Sequence, residues 1–524
     1  MKHPTSLRAS LALLGSLCAL LSNIHAAPPD ATTDYIDTTY TYNLGPTGAR
    51  GWIYSTGNEW TFSPEGLTTE SRQIKVTQIE AGSPADGILQ VNDVILGVSG
   101  TAAAPVAFTS DARKTYGLAI GEAEKTANAG ILKLLVWRNG ALLPAPLQLT
   151  LQVMGSYSAT APFACPKSTA IIQKACSLLE FHPINSGYNE GDAIIGLALL
   201  ASVAPGDPTY ATTQGKLQTY AHSIAASNEH LKNPLDGMVS WTRGYQNVFL
   251  SEYYLATHDA AVLPAIRELT ATCAKGQSLM GTYGHGMAWP KADGSSTHGY
   301  VPQYGPVNQA GETVNLGIML GRKAIAEAGD ATVDAEIDPA ITRGRKYFGY
   351  FAGKGAVPYG HSPPEDLHDD NGKSGLAALL MAMQTQEDMS SQARFFAKSC
   401  TAAYSLREMG HAGPFYAHLW QPLGVNVGGP AAMAAYFKAI EWEVDLVRRW
   451  DGSLAHHSST GATPGAPLGT DTDTACFLMT FATSLQRIYI TGKGQSSSNY
   501  VAAGDVTEAI TDGVSSLRTD LNNL

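Results

Sequence analysis

Two kinds of hydrophobic patterning divide this chain. In Ile74-Lys-Val-Thr-Gln-Ile79 apolar and polar residues alternate, the period-2 signature of a half-buried strand. Gly82-Ser-Pro-Ala-Asp-Gly87 then reads as a turn with a short helix, and Leu89 to Val98 as a second strand. A helix near Ser110 to Tyr116 and strands at Ile131 to Trp137 and Leu147 to Val153 complete this part. The run Lys133-Leu-Leu-Val-Trp-Arg138 followed by Asn139-Gly140 predicts a tight hairpin. From about residue 165 the period becomes helical.

In that second part, helix starts rich in small residues recur. They are Asn189-Glu-Gly-Asp-Ala, Trp241-Thr-Arg-Gly-Tyr, Gln309-Ala-Gly-Glu-Thr, Asp370-Asn-Gly-Lys-Ser, Gly428-Gly-Pro-Ala-Ala and Asp471-Thr-Asp-Thr-Ala. Their spacing, roughly 45 to 70 residues, fits one helical hairpin per repeat. Six hairpins can close into an α/α toroid or stay open as a solenoid. Gly-rich loops and the lack of an evident capping repeat favour closure. Small residues would let inner helices pack closely, under longer outer helices such as Tyr253 to Leu269 and Ala431 to Trp450.

Composition narrows the class. At 524 residues the chain exceeds what one core usually serves, so two domains are expected. Charged residues make up only 15%, with 53 Gly, which suits packed helices and not a disordered chain. Lys2 and Arg8, the apolar run Leu11 to Leu21 and the small residues Ala26 and Ala27 read as a cleaved secretory signal. The protein is therefore expected to be exported, to a periplasmic or extracellular space. The net charge of −11 becomes two units more negative without Lys2 and Arg8. That argues against nucleic acid and anionic membranes as partners. No later apolar run reaches the length of a transmembrane anchor. Five cysteines remain after the signal, too few and too odd for a disulfide scaffold, although Cys165 and Cys176 could pair.

The expected domains are a signal peptide at 1–26, a linker at 27–39, a mainly β domain at 40–155, the helical domain at 165–495 and a tail at 496–524. In the β domain Gly82-Ser-Pro-Ala85 and Asn92-Asp93-Val94-Ile95 resemble the PDZ family, with Asn92 where that family usually has Gly. The resemblance implies that Gly45, Gly48 and Gly51 form a loop whose N–H groups receive a peptide C-terminus. The alternative is a module that packs on the helical domain with its groove empty or filled in cis. Asp369-Asp-Asn-Gly-Lys-Ser-Gly375, Gly410-His-Ala-Gly-Pro-Phe-Tyr-Ala-His-Leu-Trp420 and Arg448-Arg-Trp-Asp-Gly-Ser453 extend the likeness. With the upstream module they resemble secreted bacterial proteins of unknown function. Those join a PDZ-like α+β domain to an all-α, (α/α)6, six-hairpin glycosidase-like toroid.

Candidate chemistry clusters at the helix starts, where the positive end of each dipole faces a shared mouth. Tyr283 and His285, with His298, Tyr300 and Tyr304 beyond, could supply acid and base for a polysaccharide lyase. Asn189, Arg243 and Asn247 would neutralise the sugar carboxylate, or these groups merely fill the mouth. The loop His361 to Asn371 carries Asp366, His368, Asp369, Asp370 and Asn371. It offers a divalent cation site or a carboxylate pair for glycoside hydrolysis, against helix capping by Asp370 or Asn371. Lys373 could sit over a substrate anion. His411 sits in a Gly-His-x-Gly loop and ranks above His418, which falls within a helix; Trp420 is a stacking candidate. His456, His457, Asp471 and Asp473 form the last group. Its Asp-x-Asp run faintly resembles the acid motif of class II terpene cyclases and lacks their third Asp. No metal-ligating pattern stands out and no cofactor is expected. The leading expectation is a carbohydrate-active enzyme, lyase or hydrolase; the other is a non-catalytic peptide- or glycan-binding protein.

Overall fold

The computed structural model describes residues 28–38, 40–57, 66–180, 190–235, 237–288, 299, 301, 305–329, 333–364, 372–383, 388–408, 415–456 and 470–517. Among these, an antiparallel β unit comes first and a helical unit follows. No described helix is long and apolar enough to cross a membrane.

The strands are β1 (Tyr42–Asn43), β2 (Ala49–Ile53), β3 (Thr56–Gly57), β4 (Gly66–Leu67), β5 (Ile74–Ile79), β6 (Val94–Ser99), β7 (Val106–Ala107), β8 (Ile131–Arg138), β9 (Ala141–Leu142) and β10 (Leu147–Thr150). The main sheet runs β1-β2-β5-β6-β8-β10, with β7 on β6 and β9 on β8; β3 and β4 pair separately. In β8 buried Leu132, Leu134 and Val136 alternate with more exposed neighbours, as the period-2 reading requires. Asn139 and Gly140 both take positive φ, 52° and 85°, which makes the tight turn into β9. Asn92 likewise sits at φ 76°. The helix α1 (Ala112–Ala123) is longer than expected and is capped by Asp111, whose side chain accepts from the Lys114 N–H. Tyr116 and Ile120 of α1 close the sheet's core, which also takes in Leu446 from the helical unit.

The remaining helices are α2 (Pro166–Leu179), α3 (Glu190–Ser202), α4 (Tyr210–Ala226), α5 (Val239–Thr257), α6 (Leu263–Lys275), α7 (Asn308–Glu327), α8 (Ile337–Gly349), α9 (Lys373–Ala382), α10 (Ser390–Ala402), α11 (Phe415–Val427), α12 (Pro430–Val447), α13 (Thr470–Ala482) and α14 (Ala503–Asp512). Two classes alternate along the chain. In α5 every residue from Val239 to Leu255 is buried, whereas α4 buries only Thr213, Leu217, Tyr220, Ala221 and Ile224. A helix apolar or small all round must be interior; one with a single apolar stripe must be a cover. The interior helices contact in a closed cycle: α3 on α5, α5 on α7, α7 on α9, α9 on α11, α11 on α13, and α13 back on α3.

Three sequence expectations need correction. Gly428-Gly429-Pro430 opens the covering helix α12, in keeping with the outer placement of Ala431 to Trp450, so this small-residue start does not mark an interior helix; that of this unit is α11. Pro at the first helical turn marks any helix start and does not distinguish the two classes. Tyr253 to Leu269 is not one helix: His258, at φ 55°, ends α5, and α6 starts at Leu263. Cys165 and Cys176 are both free and buried. Cys165 caps α2 and Cys176 lies eleven residues further along it, a rise of about 16 Å, far beyond disulfide reach.

The two units are joined by a buried charge quartet. Glu124 of the β unit and Lys167, Asp445 and Arg448 of the helical unit are all 5% exposed or less. Lys167 lies 2.8 Å from Glu124 and 3.0 Å from Asp445; Arg448 lies 2.7 and 2.8 Å from the same two carboxylates. The Tyr157 hydroxyl also donates to Asp445. Around this centre Glu80 accepts from Arg449 and from the Trp450 indole, and Asn43 donates to the Ala455 and His456 carbonyls. The tail helix α14 packs on α10 and α12.

Candidate functional site

The N-terminal ends of α5 and α11 carry an interleaved aromatic group. Trp241 and Tyr245 lie one turn apart on α5, and Tyr416 and Trp420 one turn apart on α11. In the contact cycle α5 and α11 stand opposite one another, so these rings meet across the middle of the ring. They interleave: Trp241 stacks on Tyr416 at 5.4 Å, Tyr416 on Tyr245 at 6.2 Å, and Tyr245 against Trp420 at 6.0 Å. The Trp420 indole donates to the Tyr245 hydroxyl at 3.0 Å. Tyr245 and Trp420 are fully buried, while Trp241 and Tyr416 retain 7% exposure each. The Trp241–Tyr416 pair is thus the less deeply buried end of the stack.

Two titratable groups border this pair. The Tyr416 hydroxyl lies 3.4 Å from Glu190 at the start of α3 and donates to its carboxylate. Burial lifts the Tyr416 phenol well above its ordinary value, so it stays protonated. The Trp241 indole donates to Nδ1 of His285 at 2.9 Å. An indole N–H can only donate, so Nδ1 accepts and the imidazole proton resides on Nε2. Burial also lowers the His285 pKa, which keeps it neutral. The lone pair that a base would use is thus engaged by the Trp241 indole.

Other expected site residues are committed elsewhere. Tyr283 is fully buried and donates to the Cys273 carbonyl at 2.7 Å, so it belongs to the core. Arg243, also fully buried, spends its guanidinium on the carbonyls of Glu229 and Lys232. Asn247 accepts from Thr270, between α5 and the covering helix α6. Asp473 is buried and accepts the His456 backbone N–H at 3.2 Å. Lys373 is buried at the start of α9. Asn189, Asp366, His368, Asp369, Asp370, Asn371 and His411, like His298, Tyr300, Tyr304 and His457, lie outside the described residues. Glu190 and Tyr416 were missed by sequence reasoning. The matching aromatic pairs at i, i+4 on two helices were the available signal.

The loop expected to receive a peptide carboxylate is closed. Gly45, Gly48 and Gly51 are all buried. A side chain at Gly45 would meet the Asp445 carbonyl at 2.7 Å, and one at Gly48 would meet Ser83 at 2.1 Å and Trp450 at 2.9 Å. Helix α12 and its following turn therefore cover this loop.

A separate cavity of about 530 Å³ opens at the C-terminal ends of α7, α9 and α11. Arg322, Lys323, Arg345 and Lys493 line it, against the single carboxylate Asp338. Lys323 and Lys493 flank the Tyr489 ring at 4.4 and 5.1 Å. Behind Tyr489, burial pushes Glu252 up to about 7 although the N–H groups of Ile490 and Tyr489 donate to its carboxylate.

No curated protein and no solved structure matches the chain. One family model does, over residues 168–492, from the first turn of α2 to the segment after α13 that packs beside Glu252. The match spans most of the helical unit and leaves the β unit outside it, and on that basis the chain belongs to the family described as a domain of unknown function, DUF6288.

Proposed function

We propose that this is an exported carbohydrate-active enzyme, a glycoside hydrolase in which a sugar ring rests on Trp241 and Tyr416. The helical unit is read as an (α/α)6 toroid, a reading supported by the closed cycle of six interior helices under six covering ones. The observation that supports the function is the cluster itself: two stacked rings, a carboxylate and a neutral imidazole beside the N-terminal ends of α3, α5 and α11. Flat apolar faces suit sugar C–H surfaces, and Glu190 hydrogen-bonded to a protonated Tyr416 suits acid–base work at a glycosidic oxygen. Lyase chemistry fits less well, because Arg243 and Asn247, two of the three expected neutralisers of a uronate carboxylate, serve the core. The β unit is read as PDZ-like. Its covered glycine loop supports a buttress role over peptide capture, which makes the non-catalytic peptide-binding reading the weaker one.

The test is a polysaccharide panel incubated with the mature protein. New reducing ends without unsaturated-uronate absorbance are expected, and Glu190→Gln should lower kcat by about 100-fold or more with the fold intact. Unsaturated product would transfer the assignment to a lyase. Full activity in the Glu190 variant would remove that residue from the mechanism.

A further inference from the structure

Away from the aromatic cluster, three side chains from different segments converge beside the β unit. Glu408 follows α10, His418 lies one turn into α11, and His456 follows α12. One donor atom from each lies within 4.8 Å of the other two. Both imidazoles are buried, at 3% and 1% exposure, and the Glu408 side chain is 15% exposed. The two rings lie 5.2 Å apart, and His418 packs on Phe477 at 4.4 Å.

We propose that Glu408, His418 and His456 hold a divalent transition-metal ion, zinc foremost. Two imidazoles and a carboxylate are a donor set that zinc favours, and three protein ligands leave a fourth position open. Zinc bonds of about 2.0–2.2 Å put neighbouring donors about 3.4 Å apart, so contraction by up to about 1.5 Å completes the site. An outer partner holds the carboxylate, as such sites require. Arg113 grips Glu408 with two bonds of 2.6 and 2.7 Å, one to each carboxylate oxygen, and so orients it. The backbone N–H of His456 donates to Asp473 and its backbone carbonyl accepts from Asn43, which fixes the position of this loop. Arg113 and Asn43 belong to the β unit, so the ion would link loops after α10 and α12 to α11 at the contact between units. Carboxylate, imidazole and burial together favour this over a calcium site, which would need oxygen ligands alone.

The experiment measures metal content of the full mature chain after exposure to zinc and gel filtration. About one equivalent of zinc per chain is expected, falling at least tenfold in the His418→Asn/His456→Asn double variant. Cobalt should give visible absorption typical of nitrogen and oxygen ligands in the wild-type chain, a readout independent of whether the variant folds. Chelation should lower the Tm, and added zinc should restore it. Wild-type protein that retains no metal after exposure to zinc, cobalt, nickel and manganese would overturn the site. So would one equivalent retained by a folded double variant. Neither result touches the glycosidase reading, which uses other residues.

Discussion

Glu252 shows how a single residue can fix a pH dependence. Its carboxyl is raised from 4.5 to about 7 by burial, so between those values the folded chain holds a proton that the unfolded chain has released. By linkage, stability then falls as pH rises from about 4.5 to about 7 and levels off above. Glu252→Gln should remove this slope and raise the Tm at pH 8, read by thermal melts across that range. An unchanged slope would mean another group titrates there. Few such properties were legible beforehand. Tyr283 and Arg243 looked like chemistry because Gly-flanked and helix-start positions suggest a mouth. Their side chains instead satisfy buried carbonyls, a choice set by neighbours distant in sequence.

For the elements, the small residues in interior helices have a direct use. A side chain at Gly424 of α11 would lie 2.4 Å from the Gly375 Cα of α9, so these helices touch backbone to backbone. Gly424→Ala should cost about 3 kcal/mol, since overpacking against backbone cannot be relieved by a rotamer change. Urea denaturation measures it, and a loss under about 0.5 kcal/mol would mean the helices separate freely. The start of five interior helices could be read from small-residue clusters. The sixth could not, because Gly428-Gly-Pro430 carries the same local signal in front of a covering helix. Aromatic pairs at i, i+4 were visible on α5 and α11, but nothing local says that the two helices face each other across the ring.

For the whole molecule, the quartet of Glu124, Lys167, Asp445 and Arg448 makes the two units one body. Burial pushes the Asp445 carboxyl up, yet Lys167 and Arg448 outweigh it and hold it below the usual carboxylate range. Its contribution is thus present above about pH 4 and lost only as pH falls through the lower, folded value. Lys167→Met leaves two buried carboxylates facing one guanidinium, and should cost roughly 3–5 kcal/mol. Faster proteolysis of the segment at 155–164 would report the loosened contact. Wild-type cleavage kinetics in that variant would show that the units dock without the quartet.

By itself the sequence determined the change from strand to helix, the Asn139-Gly140 hairpin and most of the helix starts. These depend on residues within a few positions of one another, where periodicity and backbone preference act. Tertiary structure alone decided that Trp241 meets Tyr416 across the ring, that Glu408 meets two histidines, and that the glycine loop at Gly45 to Gly48 is covered by α12. Each of those contacts joins segments far apart in the chain. Their partners are selected by closure of the ring and by burial of charge, and neither leaves a local pattern to read.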